Sequence, residues 1–310
     1  MNKIDNDFKN LINDLSNSSK EEIFQHIKDK FLNTPVDIIE SIEKFLNTFK
    51  YWGDLDYKNE NFEELKNRTN ALKNHLNDFI WLYTNLKDYR SKQILYSILN
   101  YWYNIDFNPL DKSFEKNYTQ YFDLDLIKCD DQEVFVDVGA FTGDTIKSYI
   151  DNYGAYKKIY AYDITPDNIK LMKNNLKEYE NIIYNEKAVS NCCKTFYLES
   201  NNQSSSANKI GEQGDIKVYS TTLDDDIEEK ITLIKMDIEG SEENALLGAI
   251  NHIKNDTPKL LISVYHNHQD IWKLPLLIYS INSNYNFYLR YFGNKYYPTE
   301  IVLIAIPQNC

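Results

Sequence analysis

The residues of this chain best suited to chemistry are acids and histidines that each follow a short apolar run. Asp137 stands next to last in VFVDV, just before the loop Gly139-Ala140-Phe141-Thr142-Gly143. Asp163 ends KIYAYD and is followed by Ile164, Ala188 lies near the end of a third run, Asp237 and Glu239 follow LIKM, and His266 and His268 follow ISVY. Glycines in such a loop permit positive φ and let a ligand come close to the backbone. An acid just before the loop is a poor neighbour for phosphate and suits hydroxyls, an amine or a positive centre. The combination points to a nucleoside-type cofactor that carries positive charge. Asp163 is the natural ribose ligand, because one carboxylate can accept from both the 2′- and 3′-hydroxyls; its other reading is a cap on the next helix. Histidine accepts protons near neutral pH, so His266 is the candidate base or substrate ligand, ahead of His268.

Asp237 and Glu239 stand two apart and would face the same way in a continuing strand. Glu239 and Ser241 also suit a helix start, where acids complement the dipole. Paired acids can hold a divalent cation, but no third oxygen ligand has a fixed spacing to these two, and no metal is expected.

Such residues converge only if the runs that precede them are neighbouring strands with a shared carboxyl end. From residue 133 onward, short apolar runs alternate with helical stretches, which is the pattern of β-α-β units around a parallel sheet. Strands are predicted at 134–138, 158–163, 182–189, 231–236, 259–265, 286–291 and 300–306, with helices at 144–153, 166–178, 240–253 and 270–283. The ligands of such sheets sit at the carboxyl ends of the strands. An insertion at 194–221 carries two short strands around the polar loop NNQSSSANKIGEQGD. Residues 292–299 leave no room for a crossover helix, so the last two strands must pair antiparallel. The fold class expected is α/β, a Rossmann-like seven-stranded sheet with a terminal antiparallel hairpin, the habit of class I methyltransferases.

The sequence divides near residue 130 into a helical N-terminal region, 1–128, and the α/β domain, 129–310. Ser19 and Glu22 form a capping box, Thr34-Pro35-Val36-Asp37 reads as a helix start, and Leu72, Leu76, Phe79, Tyr83 and Leu86 repeat at helical spacing within 60–88. The region is expected to serve as a substrate cap, a helical bundle or a dimerisation element, and a homodimer through it is possible. The net charge of −13, with no run of basic residues, argues against nucleic acid or an anionic membrane as partner. Four cysteines without C-x-x-C spacing read as thiols in a reducing compartment. No run approaches the roughly 18–20 apolar residues of a membrane helix, and no signal peptide is evident, so a cytoplasmic protein is expected.

Together these residues resemble the FkbM family of S-adenosylmethionine-dependent O-methyltransferases. The resemblance spans about 133–306 and rests on VFVDVGAFTGDT, AYDITPDN, KAVSN, STTLDD, LRYF with TEIVLIAIP, and above all IKMDIEGSEENALLGA at 234–249. It implies S-adenosylmethionine as cofactor. Asp137, Gly139, Ala140 and Gly143 would line its methionine portion, Asp163 its ribose, and Asp237 and Glu239 would flank the active centre. Phe141, Thr142, Ile164 and Ala188 complete the expected cofactor contacts. Phe141-Thr142 departs from the family's usual Asn followed by a small residue, and residues 1–128 fall outside the motif. The acceptor implied is a hydroxyl of a small molecule or glycan, a carbohydrate modification among the options.

Other classes fit less well. The alternative is a catalytically silent S-adenosylmethionine-binding or scaffold protein; a scaffold that binds no cofactor would leave the loop without purpose. An NAD-dependent oxidoreductase would want G-x-G-x-x-G and no terminal hairpin. An RNA methyltransferase would want a basic stripe, which the charge does not supply.

Overall fold

The computed structural model describes residues 2–199, 209–211 and 217–308, and the chain forms two compact units. The first comprises the chain up to Glu115 with Val264–Leu276 and Phe287–Val302; the second comprises Lys116–Ser263, Leu277–Asn286 and the chain from Leu303. The units are therefore not consecutive in sequence, since two late segments fold with the N-terminal helices.

The first unit is mainly helical. Helices α1 (Lys3–Asn17) and α2 (Lys20–Leu32) both open on capping boxes, Asn2 with Asp5 and, as the sequence indicates, Ser19 with Glu22. α3 (Val36–Phe49) starts at Val36 with Pro35 in the cap position, and Thr34 does not cap it. The Thr34 hydroxyl instead donates to the Lys30 carbonyl at 3.1 Å. A small antiparallel pair, β1 (Leu55–Asp56) and β2 (Asn61–Phe62), interrupts a stretch expected to be helical. α4 (Glu63–Asn74) and α5 (Leu76–Asn85) replace the single periodic run read at 60–88. His75 separates them with φ −118° and ψ 25°, so the apolar row changes direction. Leu72, Phe79, Tyr83 and Leu86 are still buried. α6 (Tyr89–Asn104) and α7 (Asn108–Lys112) follow. α2 packs against α4 and α6, and α1 against α6, burying Leu15, Ile23, Ile27, Leu65 and Ile98.

The second unit carries the sheet. β3 (Val134–Val138), α8 (Asp144–Tyr153), β4 (Lys158–Asp163), α9 (Pro166–Asn175) and β5 (Ile182–Glu186) alternate as the sequence pattern dictates. β6 (Ala188–Val189) is separate from β5, so the expected strand 182–189 is two. It joins a small sheet in the order β6-β9-β7-β8, with β7 (Thr195–Glu199), β8 (Lys209–Gly211) and β9 (Lys217–Thr221). Residues 200–208 and 212–216, which hold most of the polar loop of the insertion, lie outside the described residues. Beyond α10 (Leu223–Asp226) and β10 (Leu233–Met236), the helix expected at 240–253 is divided into α11 (Glu242–Leu247) and α12 (Ile250–Asn255), before β11 (Lys259–Ser263). Gly248 lies in the break between them, where a β-carbon would collide with the Ser190 carbonyl oxygen. α13 (Asp270–Ile281), β12 (Tyr285–Tyr291) and β13 (Ile301–Pro307) contribute residues to both units.

The seven-stranded sheet has the order β12-β13-β11-β10-β3-β4-β5. β11, β10, β3, β4 and β5 are parallel throughout. β12 and β13 are neighbours joined only by residues 292–300, which makes them a hairpin. Every residue of β3 and β10 is buried, as expected of central parallel strands covered on both faces. Among the described residues no helix is long and apolar enough to cross a membrane, and Cys129, Cys192 and Cys193 form no disulfide.

Candidate active site

The site of interest lies in the second unit, at the carboxyl ends of β3, β4, β10 and β11. The loop after β3 is pinned to the end of β4 by its own backbone. The amides of Gly139 and Ala140 both donate to the Tyr162 carbonyl at 2.9 Å, and the Gly143 amide donates to the Ala140 carbonyl at 2.8 Å. This wrap needs left-handed backbone at Gly139 (φ 79°), Phe141 (φ 46°) and Gly143 (φ 85°). Glycine tolerates that conformation freely, while Phe141 is strained in it. Gly139 has a second constraint, since a β-carbon there would collide with the Asp237 carbonyl oxygen. Thr142 is half-buried, and its carbonyl accepts from Asn175 Nδ2 at 3.0 Å.

Asp163 holds the other side of the loop. Its Oδ2 accepts from the Phe141 amide at 3.0 Å, and its Oδ1 accepts from the Thr165 amide at 2.8 Å and Asn168 Nδ2 at 3.1 Å. Burial pushes the carboxyl up from its ordinary value, and these three donors oppose the shift. A carboxylate offers about four lone-pair sites. Three are occupied, so one remains for a further donor, where the sequence reading needs two. Ile164 is half-buried against Ala188 and Val218, and Ala188 pairs with Ser220 at the start of β6.

Asp137 differs from its expected role. It is fully buried, and the positive centre that faces it is Lys235, directly opposite on β10. Lys235 Nζ lies 3.0 Å from Asp137 Oδ1 and donates to the Gly139 carbonyl at 2.7 Å. The acid thus anchors the loop through a buried cation. Burial opposes the charge on Lys235, but Asp137 and then Asp237 more than offset that cost and hold the ammonium above its ordinary pKa.

Asp237 and Glu239 do not continue β10, which ends at Met236. Glu239 takes φ 56° and Gly240 φ 95°, so the chain turns and the two acids cease to share a strand face. Asp237 Oδ2 accepts from the Tyr121 hydroxyl at 2.6 Å, and Ser263 Oγ lies 3.2 Å from the same hydroxyl. Glu242 Oε1 accepts from the Ile238 amide at 2.8 Å and so fixes the turn before α11. His266 lies three residues beyond β11 and is grouped with the first unit, where it is buried with its ring centroid 5.1 Å from that of Tyr51. His268 is buried in the same unit, with Nε2 3.3 Å from Glu64 Oε1.

The structure therefore brings together Asp137, residues 139–143, Asp163 and Asp237, and adds Lys235, Tyr121 and Ser263. Lys235 had a signal in the sequence: a lone lysine inside the apolar run LIKM must find a buried acid. Tyr121 and Ser263 had none, because nothing in their local sequence distinguishes them.

The sheet order, the hairpin and the loop at the carboxyl end of β3 define a Rossmann-like fold of the methyltransferase type. A family model for the FkbM methyltransferase domain matches residues 137–296, just over half of the chain, and the chain belongs to that family. A crystal structure of methyltransferase FkbM from Methylobacillus flagellatus KT is similar over 84% of this chain, with 25% identity and a TM-score of 0.66. The match covers 65% of that protein, so this chain spans just under two thirds of its length. An rRNA methylase from Streptococcus thermophilus (18% identity, TM-score 0.38) matches over 57% of this chain and 88% of its own. The fibrillarin of Aeropyrum pernix in complex with S-adenosyl-L-methionine (10% identity, TM-score 0.36) matches over 58% and 70%. Likenesses that distant add nothing to the argument. No curated protein sequence matches the chain.

Proposed function

We propose that this chain transfers the methyl group of S-adenosylmethionine to a hydroxyl of a small molecule or a sugar. The observation that carries the reading is the loop at 139–143, folded back on β4 through left-handed Gly139, Phe141 and Gly143 and clasped by Asp163. Membership of the FkbM family supports it. In this reading Asp163 accepts one ribose hydroxyl on its remaining lone pair, and Gly139, Ala140 and Gly143 give the cofactor close access to the backbone. Asp137 serves the cofactor indirectly, by fixing Lys235 against the loop.

S-Adenosylmethionine supplies a methyl group already activated on a sulfonium. What remains for the protein is alignment and removal of a proton. Positioning alone contributes about 7–11 kcal/mol in well-oriented reactions. A general base adds about 10²–10⁴-fold, and His266 is the residue proposed to take the hydroxyl proton. Tyr121, whose hydroxyl also meets Ser263, holds Asp237 in one orientation at the proposed centre, and Glu239 flanks it from the turn.

The test is to incubate the full chain with S-adenosylmethionine and a panel of hydroxyl acceptors, and to search by mass spectrometry for a product heavier by one methylene. His266→Ala should still bind S-adenosylmethionine while turnover falls by about 10²–10⁴-fold. Undiminished turnover in that variant would remove His266 from the mechanism, and methylation of amines alone would remove the hydroxyl acceptor.

A further inference from the structure

The first unit contains an open, shallow cleft of its own, of about 370 Å³, between α4 and the segment that leads into α13. That volume lies within the range of small-molecule sites, about 300–1,000 Å³. Among the described residues its lining includes no aspartate, glutamate, lysine or arginine, in a chain where these make up 26% of residues. In their place stand five carboxamides: Asn67, Asn70, Asn74, Asn267 and Gln269.

Their placement is ordered. Asn67, Asn70 and Asn74 recur at i, i+3 and i+7 and so share one face of α4. Asn267 and Gln269 belong to the opposing segment. Asn67 Nδ2 donates to the Trp52 carbonyl at 3.0 Å, and Asn70 Oδ1 accepts from Lys20 at 3.3 Å. Asn74 and Gln269 are exposed, and among the described residues their side chains make no hydrogen bond. A carboxamide offers two donors and one acceptor, which matches adjacent hydroxyls better than it matches an ion.

The rest of the lining is aromatic and fixed. The Trp52 indole donates to the Tyr265 carbonyl at 2.7 Å, and His75 stacks on Trp272 with centroids 4.5 Å apart. Charged groups stand behind the lining rather than in it: Lys20 reaches Asn70, Asp78 pairs with His75, and Asp270 accepts from Asn267. Glu64 and Arg68 form a buried ion pair at 2.6 Å. Burial pushes the neighbouring His268 below its ordinary value, so it presents a neutral ring near pH 7. Rings already held in place lose little freedom when a ligand arrives.

We propose that this cleft binds a neutral saccharide, its hydroxyls bonded to the carboxamides and its apolar CH face set against the aromatic residues. A phosphate, a nucleotide or a carboxylate would find no cationic side chain among the described lining residues, and Lys20 is held by Asn70 at their edge. The inference does not rest on methyl transfer, because the cleft lies wholly within the first unit and binding is read without S-adenosylmethionine.

The test follows intrinsic tryptophan fluorescence while the full chain is titrated with maltose, cellobiose, lactose and mannobiose. Galacturonic acid and a glucose phosphate serve as charged counterparts. At least one neutral disaccharide should change the emission saturably, and the charged sugars should bind about tenfold more weakly or less. Replacing two exposed side chains, Asn74→Ala with Gln269→Ala, should lower affinity about tenfold, as the loss of two hydrogen bonds implies. Circular dichroism should show the double variant folded. The proposal is overturned if no neutral saccharide binds saturably, if a charged sugar binds as well, or if the double variant binds unchanged.

Discussion

A lysine fully enclosed in a central strand is tolerable only when a carboxylate meets it, and Lys235 meets Asp137 across the β10–β3 register. Removing one member of such a pair leaves the other as an uncompensated buried charge. Lys235→Met should therefore cost about 3–5 kcal/mol of stability, whereas Lys235→Met with Asp137→Leu should recover most of that loss. Urea denaturation of the two variants and the wild type checks both statements. Equal loss in the single and double variants would mean that the pair is not the stabilising unit. At this scale much of the site was legible in sequence. Asp137, Asp163, Asp237 and the two loop glycines stand where strand ends were read. The orientation of each carboxylate was not legible, because it depends on donors distant in sequence. Asp163 spends three of its acceptor sites on the loop and the start of α9, and Asp237 is held by a tyrosine 116 positions earlier.

Elements with strong local codes formed where the pattern placed them. The parallel strands β3, β4, β10 and β11 are short aliphatic and aromatic runs with an acid or serine at or beside their carboxyl ends, and Ser19 with Glu22 caps α2. Divergence arose where tertiary contact overrides the local pattern. His75 breaks the long periodic run and Gly248 divides α11 from α12, in each case at a residue with no proline to announce it. The amino end of β4 is tied by charge as well as by the burial of Ile159. Glu229 accepts from Lys157 at 2.8 Å and from the Tyr160 hydroxyl at 2.8 Å, and it also pairs with Lys158. Hydrogen bonds from Lys157 and Lys158 pull its carboxyl down to about 2. A depressed carboxyl contributes stability above its unfolded value, and that contribution is lost as pH falls toward the folded value. Glu229→Gln should therefore melt below the wild type at pH 7, and the difference should shrink as pH falls from about 5 toward 2. A gap in melting temperature that stays constant across that window would show that Glu229 acts by packing instead.

At the scale of the whole molecule, the α/β class, the seven-stranded sheet and the terminal hairpin were all readable, since alternation of periods and the short final connection leave few topologies. What the sequence could not convey is that residues after β11 and within the hairpin fold with the N-terminal helices, because that assignment depends on long-range packing of Val264–Leu276 and Phe287–Val302. The central claim, that the loop at 139–143 with Asp163 is an S-adenosylmethionine site, is tested most directly by calorimetric titration of the full chain with S-adenosylmethionine. The account predicts saturable binding of one molecule per chain. A matching thermal stabilisation should accompany it, equivalent to about 2.7 kcal/mol at a concentration one hundred times the Kd. An absence of heat and of any stabilisation at millimolar S-adenosylmethionine would contradict it.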